Sequence, residues 1–320
     1  MKSSFALNER GLAIVQSMLA RANELRIEHE YVAQARVVDC GARALGGIQA
    51  GLELARVCLA GLAEVAVVPG SLGSRSWPHL QVCTDHPVAA CLASQYAGWK
   101  LSEGKFFAMG SGPMRAAAGS EAIFEKIENR ESTDSVVGVL ECRKPPTPEI
   151  IAIIAEACRI SEADVTLLFA PTASLAGTMQ IVARSVETAL HKLAELGFDL
   201  ARLVSAIGWA PIPAIAKDDL AAIGRTNDAI LYGGRVILCA TGDDDSIRDI
   251  GSKLPSVASR DHGAPFAEIF ARYNHDFYAV DPLLFSPAQV VLQNLSTGRV
   301  HEFGHIEPAV LERSFGLAGS

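Results

Sequence analysis

Ser135-Val-Val-Gly-Val-Leu-Glu141, Thr147-Pro-Glu149 and Val165-Thr-Leu-Leu-Phe169 decide how this chain is read. The outer two are short β-branched, apolar runs of the length of strands buried in a sheet. Between them Thr147 caps a helix with Pro148 at its first position, where the missing N–H costs nothing, and Glu149 in its first turn. Outward in both directions, runs of helical spacing alternate with β-branched runs, although strict alternation is not kept everywhere. The fold class is therefore α/β or α+β, with helix-covered mixed sheets.

Toward the amino terminus the pattern predicts a helix over 12–25, a strand over 32–40 ending at Gly41, and a helix over 51–62. Strands follow at 65–68 and 80–84, then a helix over 88–96 opened by Pro87. Lys105-Phe-Phe-Ala-Met-Gly-Ser-Gly-Pro-Met-Arg115 reads as an apolar run broken by a glycine loop, ahead of a helix over 116–126. Toward the carboxyl terminus a long helix over 174–196 is expected, then a strand at 203–207 and a short helix at 218–223. After these come a strand region at 230–239, a helix at 265–273, a hairpin around Ser296-Thr-Gly298 and a closing helix at 308–315.

A chain of 320 residues exceeds the size at which one core usually stops growing, so two domains are expected. The Pro-rich Lys144-Pro-Pro-Thr-Pro148 is the natural linker, giving domains 1–144 and 145–320, with the variant that the carboxyl-terminal segment packs back on the first. A pocket between domains is the default place for a ligand. The formal charge is −8 and no basic cluster exceeds Arg143-Lys144, so nucleic acid is not an expected partner. Lys2, Glu9 and Arg10 interrupt any leader-like apolar stretch, and none elsewhere is long enough to span a bilayer, so a cytoplasmic protein away from membranes is expected. Seven cysteines without CxxC spacing point to neither disulfides nor zinc, and His301 and His305, on a strand and a turn, do not share a helix face as a metal pair would.

GxGxxG, a Walker lysine and GxSxG are all missing, and His301-Glu-Phe-Gly-His305 has the letters of HExxH but falls on an expected strand and turn instead of the helix that motif requires. Three groups of residues retain chemical interest. On the 174–196 helix, Leu175, Met179, Val182, Val186, Leu190 and Leu193 make an apolar stripe; Gln180, Arg184, Glu187 and His191 stand opposite. Spacing alone describes both a solvated face with an ordinary ion pair and a pair of working groups. Gly110 and Gly112 present bare amides either to an anion at a helix start or to a tight turn. Arg225-Thr-Asn-Asp228 lies in an expected loop, as binding residues or as caps.

At these same residues the chain resembles the methenyltetrahydromethanopterin cyclohydrolase family. The resemblance is carried, in order, by Phe106-Phe-Ala-Met-Gly-Ser-Gly-Pro113, Ala170-Pro-Thr-Ala-Ser-Leu-Ala-Gly177 and Arg184-Ser-Val-Glu-Thr188. Gly224-Arg-Thr-Asn-Asp-Ala229 with Leu231-Tyr-Gly-Gly234, and Ser314-Phe-Gly-Leu317, continue it. Shorter echoes are Val38-Asp-Cys-Gly41, Ala97-Gly-Trp99 and Asp276-Phe-Tyr278. Ser71 to Trp77 falls where the family varies, so no contact is carried over there.

The resemblance implies a two-domain homotrimer with an interdomain pocket and no bound metal or redox cofactor, whose substrate is a tetrahydromethanopterin derivative. The reaction it implies is reversible hydrolysis of the methenyl cation to the formyl compound, in formaldehyde oxidation or methanogenesis. Glu187 and Arg184 are the implied catalytic residues. Glu141 is a further residue the resemblance implies, and Lys105, Gly110, Ser111, Gly112, Thr226, Asn227 and Asp228 complete the substrate-binding candidates. An amidinium carbon is already electrophilic, so one positioned carboxylate that takes a proton from water and returns it to nitrogen suffices. Arg184 then either keeps Glu187 ionised and oriented or holds substrate. A noncatalytic pterin-binding protein and an enzyme of phosphorylated compounds using the 110–113 loop are the competing functions.

Overall fold

The computed structural model describes residues 5–276 and 279–317; Met1 to Ser4 of the amino-terminal stretch, and Phe277 and Tyr278 of the third short echo, lie outside the described residues. The chain opens with α1 (Leu7–Ala20), α2 (Ala22–Leu25), β1 (Glu28–Val32), β2 (Ala35–Asp39) and α3 (Ile48–Cys58). A hairpin of β3 (Glu64–Leu72) and β4 (Arg75–Thr84) precedes a π-helix over Val88–Gln95. Then come β5 (Trp99–Glu103), β6 (Phe106–Ser111), α4 (Met114–Ala118), α5 (Ile123–Lys126), β7 (Val136–Glu141), α6 (Pro148–Cys158) and β8 (Val165–Ala170). The second half carries α7 (Leu175–Val182), α8 (Ser185–Glu195), β9 (Leu203–Pro211), α9 (Asp219–Leu231), β10 (Arg235–Ala240) and α10 (Asp244–Gly251). It closes with α11 (Phe266–Arg272), β11 (Gln289–Asn294), β12 (Val300–Gly304) and α12 (Pro308–Phe315).

Two compact units result: residues 1–63 with 88–180, and residues 64–87 with 181–320. This division departs from the expected 1–144 and 145–320, and strand pairing explains why. β8 inserts between β2 and β7, so the segment beyond the Pro-rich linker completes the first sheet; β4 pairs with β9, which commits the 64–87 hairpin to the second.

The first unit's sheet has the order β1-β2-β8-β7-β6-β5. Its centre is parallel, β2 to β8 to β7, and the flanking pairs are antiparallel. A sheet buried on both faces needs apolar residues on both, and all six residues of β8 are buried. Val38, Val139 and Leu168 join α1 and α3 in one core; Val37, Leu140, Leu167 and Phe169 join α4 and α6 in another. Thr147 caps α6 as expected, its hydroxyl accepting from Ile150 N.

The helix expected at 88–96 is a π-helix, whose wide turn leaves carbonyls that α geometry would have used. Arg115, fully buried, donates to the carbonyls of Leu92 and Ser94, pairs with Glu121 at 2.8 Å, and lies over the rings of Tyr96 and Phe124. A charge this deep is tolerated only because each donor face is occupied.

The second unit's sheet has the order β12-β11-β10-β9-β4-β3, parallel only between β10 and β11. Val236, Leu238, Ala206, Ala210, Val290 and Leu292 are buried, whereas the alternate residues Ile207, Trp209, Ile237 and Val291 are half-buried, the two-faced pattern of a largely antiparallel sheet. The predicted hairpin at Ser296-Thr-Gly298 and the closing helix both form. Among the described residues no helix is long and apolar enough to cross a membrane.

Candidate functional site

The long helix expected over 174–196 is two helices. Ala183 and Arg184 form a turn between α7 and α8, and Arg184, with φ −90° and ψ 12°, is the residue that opens α8. Its amide donates to Ile181 O at 3.0 Å, and its carbonyl accepts from both the amide and the hydroxyl of Thr188. Glu187 therefore stands in the first turn of α8, where the exposed N–H groups of a helix start favour a carboxylate. Neither group is on a solvated face: Arg184 is 7% exposed and Glu187 5%. Burying a guanidinium and a carboxylate one turn apart costs desolvation that a surface ion pair never incurs.

The turn is packed tightly against the sheet. A Cβ placed on Gly208 of β9 would lie 2.6 Å from Ser185 Oγ and 2.7 Å from Val186 Cγ2, so only glycine lets this strand approach the start of α8.

In the first unit the carboxyl ends of three parallel strands lie side by side, the part of an open α/β sheet where ligands bind. Asp39 ends β2, Ala170 ends β8 and Glu141 ends β7, with Glu141 paired to Ala170 and Asp39 to Phe169. Asp39 accepts from the amides of Gly41, Ala42, Arg43 and Ala44 at 2.7–3.2 Å, which folds the following loop around its carboxylate. Burial opposes ionisation there, but the four amides prevail and its pKa lies below the usual range. Glu141 is half-buried, and Gln180 of α7 donates its amide nitrogen to Glu141 Oε1 at 3.3 Å.

The other sequence candidates are placed elsewhere. Gly110 and Ser111 belong to β6 rather than to a loop, and Gly110 pairs with Trp99 on one side and Leu140 on the other. Gly112, with φ 93°, donates its amide to Ser94 O at 2.8 Å. All three are buried, so the anion-cradle reading of 110–113, and the phosphorylated-substrate function built on it, loses its donors. Lys105 is exposed at the β5–β6 turn, four residues and about 13 Å of strand from Met109, the residue opposite Glu141.

The polar cluster expected in a loop lies inside α9. Thr226 and Asn227 bond back to Ala222 O and Ile223 O, and Arg225 reaches Ser314 O and Ala214 O. Asp228, fully buried, accepts from Phe266 N at 2.7 Å and from the Ser314 hydroxyl, tying α9 to α11 and α12. Burial pushes its pKa up to about 7, against the pull of those two donors. Among the described residues no three His, Cys, Asp or Glu side chains gather as metal ligands. His301 and His305 instead meet Asp244 and Glu307 respectively.

A family profile described as Cyclohydrolase (MCH) matches residues 6–315. The chain is 46% identical over 316 residues to the methenyltetrahydromethanopterin cyclohydrolase of Methylobacterium sp. strain 4-46, covering 97% of each chain. It is 49% identical to that of Rhodopirellula baltica, over 89% of this chain and 87% of the relative. With that of Methanococcoides burtonii it shares 40%, over 98% of each.

Proposed function

The chain belongs to the MCH cyclohydrolase family, and from that premise we propose that it reversibly hydrolyses the methenyl cation of tetrahydromethanopterin to the formyl derivative. The observation that carries the residue assignment is the burial of Arg184 and Glu187 together in the first turn of α8. Water adds its oxygen to the amidinium carbon and gives one proton to Glu187. As the hydroxyl proton leaves and the carbonyl forms, one C–N bond breaks and the departing nitrogen takes a proton from Glu187. Over the cycle one proton is released and the cationic charge disappears. Arg184, one turn away, orients Glu187. Glu141 is assigned to the cation, which a fixed carboxylate favours electrostatically. The carrier is substrate throughout, with no permanently bound cofactor; a cytoplasmic location is part of the proposal, and the trimer rests on family resemblance alone, which light scattering of the purified protein checks.

Glu187→Gln keeps the size and removes the base. The methenyl chromophore should then decay roughly 10²- to 10⁴-fold more slowly, the contribution typical of a positioned acid–base group, with the fold intact by circular dichroism. Turnover close to that of the unsubstituted protein removes Glu187 from the mechanism. Running methenyltetrahydrofolate beside methenyltetrahydromethanopterin tests the carrier: the proposal requires turnover of the second alone.

A further inference from the structure

Gln180 is 1% exposed and its amide lies between a carboxylate and a thiol. An ionised carboxylate only accepts hydrogen bonds, so the amide nitrogen must face Glu141, as it does at 3.3 Å, and the amide oxygen is left for Cys58, whose Sγ is 3.8 Å away. Cys58 is itself fixed. Ser111 Oγ lies 3.4 Å from its sulfur and donates to Val139 O, while the Ser94 hydroxyl donates to the Cys58 carbonyl at 2.5 Å. β6, α3 and α7 thus each contribute one buried side chain, Ser111, Cys58 and Gln180, to a line that ends on the Glu141 carboxylate, and Ser94 of the π-helix anchors the backbone of Cys58. An aliphatic residue at 180 would fill the same space without burying an amide; what it would lack is the donor.

We propose that Gln180 is a positioning residue for Glu141, its amide fixing the orientation in which the carboxylate meets the cationic substrate. The inference rests on the assignment of Glu141 to that cation. A carboxylate acting on a charge that vanishes during the reaction favours the ground state at least as much as the transition state, so its orientation governs KM more than kcat. A residue that merely holds up the fold would lower the yield of active protein and its Tm without separating the two constants.

The test is a double-mutant cycle on the full-length protein, using methenyltetrahydromethanopterin. Gln180→Met, close in volume and without a donor, should raise KM about tenfold, the size of a hydrogen bond to a charged group, while kcat moves much less. Glu141→Gln should raise KM at least as far, and the double variant should be no worse than Glu141→Gln alone. If Glu141→Gln raises KM but Gln180→Met does not, or the two effects add fully, the inference is overturned and the function of Glu141 stands. If Glu141→Gln leaves KM unchanged, the assignment of Glu141 fails first and the inference with it. Should Gln180→Met not fold, Cys58→Ala removes the partner at the amide's other end and must raise the same KM by a smaller factor; an unchanged KM there overturns the proposal.

Discussion

Asp228→Asn should make the second unit more stable at alkaline pH and change little in acid, the reverse of what losing a buried hydrogen-bonded charge usually does. Asp228 has no exposed surface, and burial lifts its pKa from 3.8 to about 7 although Ser314 and Phe266 both donate to it. A carboxyl whose pKa is raised on folding contributes stability that is complete below the unfolded value and is lost as pH rises through the folded one. From 3.8 to about 7 the full loss is about 4 kcal/mol. Roughly half of it, about 2 kcal/mol, falls between pH 5.5 and 8.5. Asparagine is neutral throughout, and its carbonyl still accepts from Phe266 N.

Differential scanning calorimetry of both proteins across that pH range isolates the effect, because His79 and His262, whose pKa values burial lowers, titrate alike in each and cancel in the difference. The Tm of the unsubstituted protein should fall relative to that of Asp228→Asn by about 4–8 °C between pH 5.5 and 8.5. Two parallel curves would show that Asp228 is ionised throughout, its two donors outweighing its burial. A variant less stable at every pH would mean that the second carboxylate oxygen, which Ser314 contacts, matters more than the charge.

Two further outcomes follow from the second unit. Gly208→Ala would force a methyl against Ser185 and Val186, costing about 1–3 kcal/mol and displacing the turn that carries Arg184 and Glu187; calorimetry with a turnover assay should show both Tm and kcat reduced. Asp244 accepts from His301, Asn294, Thr297 and Arg299, which hold its pKa down to about 2, so the stability it confers is present above its unfolded value and is lost as pH falls toward 2. His301→Ala removes the largest of these contributions, and the acid-unfolding midpoint, followed by circular dichroism, should move to higher pH.

What could be read in the sequence was local. Thr147 and Pro148 mark the start of α6 because the cap is made within three residues, and β7 and β8 read as strands because every residue of β8 is apolar or buried. The division into units depends on β8 entering between β2 and β7, a pairing between segments over a hundred residues apart that no local pattern encodes. At 110–112 the two readings of glycine separate, because Gly110 and Ser111 pair in β6 and Gly112, at φ 93°, makes the tight strand-to-helix turn with its amide on Ser94 O, which leaves none of the amides an anion would need. Polar residues misled at 226–228, where Thr226 and Asn227 turn their side chains back onto their own helix and so no longer compete with it.

The candidate groups of α7 and α8 show why spacing and chemistry part company. The steps from Gln180 to Arg184 to Glu187 carry through the break at Ala183 and Arg184, because neither proline nor glycine marks the turn and the apolar stripes of the two helices share one spacing. Periodicity therefore predicts a stripe opposite the core, which on a surface helix is solvated and inert. The chain instead buries all three, at 1%, 7% and 5% exposure. A glutamine, an arginine and a glutamate in solvent cost nothing and do little; buried, each incurs a desolvation cost that only a specific partner or a substrate can offset. It is that cost, which no pattern of residues expresses, that sets this buried face apart from the polar face of an amphipathic surface helix.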